Sequence, residues 1–198
     1  MGTEPWYRGL VWLDYRLAVL FLVVIPLILL IWAFVQKAQP IQHLLIIYLR
    51  VASLLAITLY LLIAQYPVGF ISGLIARILI PISLWFWIDL NDEIDYQQDG
   101  ALKLVFTSWR WATTFYCILG IVALVPSIGC GFSDAAIKSS NCQVWLEAPL
   151  AYKDIFHANT KAPFLGVLGI IGLIIYLIYL SYFVIVRLGK QGRSATEQ

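Results

Sequence analysis

The sequence predicts an all-α fold, a polytopic membrane helix bundle of about five transmembrane helices. Of the 198 residues, 62% are hydrophobic and only 12% are charged, whereas soluble domains contain about 45–50% apolar and about 25% charged residues. The apolar residues form continuous runs, without the alternation of a transmembrane β-strand. Because each helical span needs about 20 residues, the chain predicts a single integral membrane domain over residues 1–198 and excludes a further soluble domain.

Five apolar runs are long enough to cross a bilayer. At a rise of about 1.5 Å per residue, each covers roughly 27–35 Å. They must be helical, because lipid offers no partner for backbone N–H and C=O groups. Pro26 and Pro81 within them are tolerated if neighbours bind the carbonyls that proline leaves free. The predicted spans are 17–35, 44–64, 68–88, 111–128 and 164–186, and residues 129–163 form an extramembrane loop.

Loop charges alone do not fix the orientation. Arg8 and Arg16 before the first span favour a cytoplasmic N-terminus, whereas three cations after the last span favour a cytoplasmic C-terminus. Cys130 and Cys142 bracket a short polar loop and predict either a disulfide, which would persist on the oxidising side of a membrane, or two free thiols. Taking the disulfide, we expect the loop 129–163 in a lumen or periplasm and the C-terminus in the cytoplasm.

Two charges, Arg50 and Arg77, lie inside the predicted spans. A central arginine costs at least about 2.5–3.5 kcal/mol on insertion scales. Each side chain either extends to the membrane surface or contacts a ligand or partner, and Asp14 is the carboxylate nearest to Arg77 in membrane level. No Asp or Glu lies in the predicted spans, which disfavours a proton- or cation-coupled transporter.

An acidic segment, residues 91–99, directly follows the third span. Its pattern N-D-x-x-D-x-x-x-D, formed by Asn91, Asp92, Asp95 and Asp99, resembles the first aspartate-rich motif of the UbiA-type membrane prenyltransferases. The resemblance implies that these positions hold magnesium on a prenyl diphosphate, and hard oxygen ligands suit that ion. That family has about twice as many spans and a second aspartate-rich motif, which this chain lacks. The alternative is a solvated acidic surface that contacts a partner.

Gly166, Gly169 and Gly172 recur every three residues on the last span. Small residues let helix backbones approach closely in lipid. The stripe therefore predicts helix packing, either within the chain or against another membrane protein.

Four strings carry a resemblance that extends over nearly the whole chain. They are VWLDYRLAVLF at 11–21, ARILIPISLWFW at 76–87, FHANTK at 156–161 and VRLGKQGRS at 186–194. Together they resemble an uncharacterised family of cyanobacterial multi-pass membrane proteins, a domain of unknown function. The resemblance gives no information on activity, but it implies a location in a thylakoid or plasma membrane.

We therefore expect a non-enzymatic accessory or assembly factor for a larger, photosynthetic membrane complex. Its expected partners are the lipid bilayer and that complex, with no catalytic residue and no cofactor, and the net charge of +2 gives no basis for nucleic-acid binding. One alternative is a minimal magnesium-dependent, lipid-modifying enzyme that uses residues 91–99. A further alternative is a small channel or carrier.

Overall fold

The structure, a computed structural model, describes residues 6–133, 135–188 and 194. Over these residues the chain forms helices and the segments that join them, with no strand. Five helices are long and apolar enough to cross a membrane, so the predicted fold class is confirmed. The end of the C-terminal tail, residues 195–198, lies outside the described residues.

Five long helices and two shorter ones make up the bundle, and one short helix lies on each side of the fourth long helix along the chain. The long helices are α1 Arg8–Val35, α2 Gln39–Ile63, α3 Val68–Trp85, α5 Ala101–Gly131 and α7 Ala162–Val186. The shorter helices are α4 Ile88–Tyr96 and α6 Ser140–Phe156. Within α1, residues Val19–Val24 form a π-helical segment, and α5 ends in the 3₁₀ segment Val125–Gly131.

Two long helices begin well before the predicted spans. Helix α1 begins at Arg8 rather than at residue 17, and α5 begins at Ala101 rather than at residue 111. A hydropathy pattern ends at the first polar residues, but a helix continues wherever its polar side chains find partners. Asp14 therefore lies in a helix that is long enough to cross the membrane, whereas the predicted spans contain no carboxylate.

Helix α2 lies at the centre of the bundle. It packs against α1, α3 and α7, while α5 packs against α3 and α1. Tyr48 of α2, Leu22 of α1 and Phe106 of α5 are almost completely buried in the largest apolar cluster. Helix α7 packs chiefly on α2 and leaves most of its apolar surface exposed.

Near Pro26, side chains of neighbouring helices donate hydrogen bonds to backbone carbonyls of α1. Proline has no N–H to donate to the carbonyl four residues earlier, which here belongs to Leu22. The Tyr48 hydroxyl donates to that carbonyl at 2.8 Å, and the indole Nε1 of Trp109 donates to the neighbouring carbonyl of Phe21, also at 2.8 Å. These bonds attach α1 to α2 and to α5.

The segment predicted as an extramembrane loop, 129–163, contains α6. Pro149 within α6 leaves the carbonyl of Trp145 without its usual helical donor, and the Tyr15 hydroxyl of α1 donates to it at 2.8 Å. Val144 and Leu146 are buried against the adjoining ends of the long helices. Helix α6 is thus a packed layer over one end of the bundle.

Candidate functional site

Helix α4, which carries most of the acidic segment, presents carboxylates on its outer side. Leu90 and Ile94, one helical turn apart, are completely buried and anchor its inner side. Asp92, Glu93 and Asp95 are exposed, and we call these three residues the acidic face. Leu90 and Ile94 are four residues apart and so share one side of the helix, and their burial shows that this side faces the bundle.

Asn91 is used inside the protein, away from the acidic face. Its Nδ2 donates to the carbonyl of Trp85 at 3.3 Å, and its Oδ1 accepts a hydrogen bond from Arg110 Nη2 at 2.8 Å. Arg110 also donates to the carbonyl of Leu84 at 3.2 Å and lies 4.1 Å from the centre of the Trp85 ring system. The last carbonyls of a helix lack helical donors and favour a cation, so Asn91 and Arg110 together close the end of α3.

Asp99 is separated from the other positions of the prenyltransferase-like pattern. Its side chain is 97% exposed and pairs with Lys103 Nζ at 3.0 Å. Lys103 also donates to the carbonyls of Asp95 at 2.9 Å and Gln97 at 2.8 Å, which fixes the turn between α4 and α5. In the described part of the chain, no group of three or more His, Cys, Asp or Glu residues is placed to hold a metal ion.

Arg77 lies in a closed cluster that joins three long helices. Its guanidinium forms an ion pair with Asp14, and the two side chains are only 11% and 14% exposed. The Tyr116 hydroxyl donates to Asp14 Oδ1 at 2.8 Å. At Gly120 a Cβ atom would lie 2.9 Å from Arg77 Nε, so this glycine leaves the room that the guanidinium occupies. The cluster ties α1, α3 and α5 together within the membrane-spanning part of the bundle.

The environment of Arg50 differs from that of Arg77 in exposure and in pairing. Arg50 is exposed, and its guanidinium has no hydrogen bond or ion pair with any residue that the structure describes. It lies in the wall of a groove of about 550 Å³ between α2, α3 and α7. The groove is also lined by His43 of α2 and Tyr179 of α7.

The two cysteines lie at the end of the bundle that α6 covers. Cys130 and Cys142 are joined by a disulfide, with their Cα atoms 5.8 Å apart, within the usual range for such bonds. Cys130 lies in the last turn of α5 and Cys142 in the first turn of α6, so the bond attaches the α6 layer to a long helix.

The glycine stripe of α7 faces α2 within the chain. A Cβ at Gly166 would lie 2.4 Å from the Cβ of Ala64, and one at Gly169 would lie 3.1 Å from the Leu61 backbone. A Cβ at Gly172 would lie 3.2 Å from the Ile57 side chain. The stripe therefore serves intramolecular packing and leaves the opposite side of α7 exposed.

The N-terminal end of α1 contacts α6 through charged and polar groups. Arg8 Nε lies 2.8 Å from Glu147 Oε2, and the Trp12 indole donates to the same oxygen at 2.9 Å. Partial burial acts to raise the pKa of Glu147, but the hydrogen bonds from Trp12 and Arg8 and the charge of Arg8 outweigh it and lower that pKa below its usual value. The Tyr7 hydroxyl donates to Asn141 Oδ1 at 2.7 Å and completes the contact.

Sequence reasoning did not single out Arg110, Lys103 or Tyr116. Arg110 lies one residue before the predicted fourth span, 111–128, and so falls outside it. Gly100, an extended residue directly before Ala101, marks the true start of α5. A helix read from that glycine would have placed Arg110 inside it.

Comparison with known protein families identifies the family of this chain. The family model described as "Protein of unknown function (DUF3177)" matches residues 8–196. No curated protein and no solved structure matches the chain significantly. The match covers nearly the whole chain and confirms the expected uncharacterised family. The chain thus belongs to the DUF3177 family, a family of proteins of unknown function.

Proposed function

We propose that this protein is a non-enzymatic accessory or assembly factor for a larger, photosynthetic membrane complex in the thylakoid or plasma membrane of a cyanobacterium. The observation that carries the proposal is the acidic face of α4, which is exposed and held on a fixed helix. It fits a basic segment of a partner protein that reaches the same side of the membrane.

The fixed position of the acidic face favours binding. Leu90 and Ile94 are completely buried, and Lys103 holds the turn that follows the helix. Because the helix that carries the acidic face is already ordered, binding of a partner costs less conformational entropy. Carboxylates are repelled by the anionic lipids of a membrane surface, so the acidic face suits a protein better than lipid headgroups. Complementary charge would then increase the association rate and the specificity.

The test compares the wild type with the variant Asp92→Asn, Glu93→Gln, Asp95→Asn in gently solubilised native membranes. We expect the wild type to migrate with a larger complex on a native gel, with that complex identified by mass spectrometry. The triple variant should be released from it while remaining folded. Raising the salt to about 1 M should weaken the wild-type association, because the Debye length falls to about 3 Å.

Asp154 of α6 provides the matched control. It is an exposed carboxylate, 75% accessible, on the helix that covers the other end of the bundle. The single variants Asp92→Asn and Asp154→Asn each remove one charge. Asp92→Asn should weaken the association, and Asp154→Asn should leave it unchanged. Wild-type protein that migrates as a small species at every salt concentration would contradict the proposal, as would a triple variant that stays associated.

The enzymatic alternative has its own decisive assay. Purified protein is supplied with magnesium, a prenyl diphosphate and an acceptor, and prenyl transfer is measured. We expect no turnover above background. Turnover that disappears in Asp92→Asn would replace the accessory role by the enzyme.

For the orientation, we infer that the C-terminus lies in the cytoplasm and that α6 lies in a lumen or periplasm. The disulfide at the α6 end favours an oxidising compartment there. Tyr7 and Arg8 contact α6, so the start of α1 lies on that same side. A reporter fused after Gln198 should be active only if it is of a type that works in the cytoplasm. Activity of a reporter that requires export would reverse the assignment.

A further inference from the structure

Arg50 is the twelfth of the 25 residues of α2, about 16 Å from the start of that helix. It is exposed, and no group in the described ranges 6–133, 135–188 and 194 neutralises its charge. Ionisable side chains at such depth generally pair with another group or mark a site. Since the described residues supply no such group there, an anion from another molecule would fit the site.

The groove beside Arg50 has room for an apolar chain. Its volume of about 550 Å³ falls within the roughly 300–1,000 Å³ of small-molecule sites. Apart from Arg50, its walls are mainly apolar. The apolar lining includes Ile47, Val51, Leu79, Ile82, Leu180 and Phe183.

One end of the groove carries polar and aromatic residues that are typical of the membrane interface. His43 precedes Arg50 by two helical turns on the same side of α2, and it is exposed. Trp87 and Phe183 meet there, with ring centres 5.9 Å apart, and tryptophan favours the membrane interface. Helical side chains lean toward the N-terminal end of their helix, so a long arginine side chain can direct its charge toward this polar end.

We propose that the groove binds one anionic phospholipid, with its phosphate on Arg50 and its acyl chain along the apolar walls. A guanidinium presents parallel N–H donors that match phosphate oxygens. The ring of His43 adds a hydrogen-bond donor at the polar end. A zwitterionic lipid also carries a phosphate, but its own cation competes for that phosphate. The site should therefore select for net negative charge.

The experiment is native mass spectrometry of the full chain after exchange into neutral detergent. The protein is supplied with equal amounts of phosphatidylglycerol and phosphatidylcholine that have identical acyl chains. We expect wild-type protein to retain one phosphatidylglycerol molecule about tenfold more often than phosphatidylcholine. Arg50→Gln should remove that preference, because one charge-assisted contact accounts for a factor of about ten or more.

Arg16 of α1 is the matched control, since it is an exposed arginine outside the groove. Arg16→Gln should retain the lipid as the wild type does. Arg50→Lys keeps the charge and should keep most of the preference. Val51→Trp fills the groove and should lower retention of both lipids. Phosphatidylglycerol should also raise the thermal midpoint of the wild type and leave that of Arg50→Gln unchanged.

Several results would overturn the lipid site. Equal retention of the two lipids by the wild type is one, and undiminished preference in Arg50→Gln is another. An equal loss in Arg16→Gln would show that the effect belongs to total charge. A neutral hydrophobic molecule that co-purifies equally with the wild type and Arg50→Gln would show that the groove binds a different ligand. If Arg50→Gln fails to fold, retention of the preference by the groove-filling Val51→Trp variant would equally disprove the site.

Discussion

Arg77 and Arg50, the two arginines within the spans predicted from sequence, lie in different parts of the molecule, which we call the closed side and the open side. On the closed side, formed by α1, α3 and α5, Arg77 is almost buried and paired with Asp14 and its neighbour Tyr116. On the open side, formed by α2 and α7, Arg50 is exposed beside a groove and has no partner in the described part of the chain.

The difference shows that one residue type can serve two purposes within one membrane domain. A buried ion pair returns part of the free energy that desolvation costs, and it makes each partner dependent on the other. For an exposed, unpaired cation, nothing offsets the free energy of desolvation until an anion binds. The closed side therefore contributes to stability, and the open side is the one that we propose for binding.

The largest expected effect is on the closed side, from Asp14→Asn. This change leaves the Arg77 charge buried without its counter-charge, which typically costs about 3–5 kcal/mol. The free energy of unfolding in mixed micelles, followed by denaturing-detergent titration, should fall by that amount. Arg50→Gln in neutral detergent should show no comparable loss. Equal effects of the two variants would remove the distinction between the two sides.

A double replacement sharpens the same contrast. Asp14→Leu with Arg77→Met removes both charges and fills the space with apolar atoms. Such replacements of buried ion pairs are often neutral or stabilising, so the double variant should recover most of the stability lost in Asp14→Asn. A double variant as unstable as Asp14→Asn would show that shape, rather than charge pairing, governs the cluster.

The second effect concerns the disulfide at the α6 end of the molecule. Cys130 and Cys142 are separated by 12 residues, and closing a loop of this size contributes about 2–4 kcal/mol. Replacing both by serine should lower the unfolding free energy by about that amount. In native membranes, alkylation without reductant should leave both residues unmodified. Ready labelling of both would contradict the bond and weaken the assigned orientation.

The third effect tests how α7 is attached on the open side. In Gly166→Ala the new Cβ would lie 2.4 Å from the Cβ of Ala64 and 2.8 Å from the Tyr66 ring, so the helices must move apart. Overpacking of this kind typically costs about 1–3 kcal/mol, measured as a lower unfolding free energy. Gly9→Ala is the control, because its Cβ would meet nothing within 4 Å. Equal stability of the two variants would contradict the close approach of α7 to α2.

The smallest expected effect concerns the ion pair between Arg8 of α1 and Glu147 of α6. The two side chains are 40% and 30% exposed, so we expect a contribution of only about 0–1 kcal/mol. The folded state lowers the pKa of Glu147. The stabilisation is therefore fully present above the unfolded pKa of about 4.3, and it is lost as the pH falls through the folded pKa.

The check is the difference in unfolding midpoint between the wild type and Glu147→Gln across that pH range. The difference should be largest near neutral pH and should shrink on acidification. A difference that grows as the pH falls would contradict the lowered pKa.

The sequence alone determined the class of the protein and the number of long helices. Continuous apolar runs can be stable only in lipid, and lipid requires their backbone to be helical. The family resemblance likewise rested on strings that the family match covers. The pairing of Arg77 with Asp14 was only suggested, by their similar membrane level.

The tertiary structure decided where α1 and α5 begin and which groups satisfy each charge. Asp14 meets Arg77 across 63 residues and Tyr116 across 102 residues of sequence. The pattern from Asn91 to Asp99 reads as one motif along the chain, yet Asn91 points inward to Arg110 and Asp99 points outward. Hydropathy depends on composition and is local, whereas hydrogen-bond and ion-pair partners come from distant segments that only helix packing brings together. For that reason the same sequence signal, a lone arginine within an apolar run, became a buried ion pair at Arg77 and an exposed side chain beside a groove at Arg50.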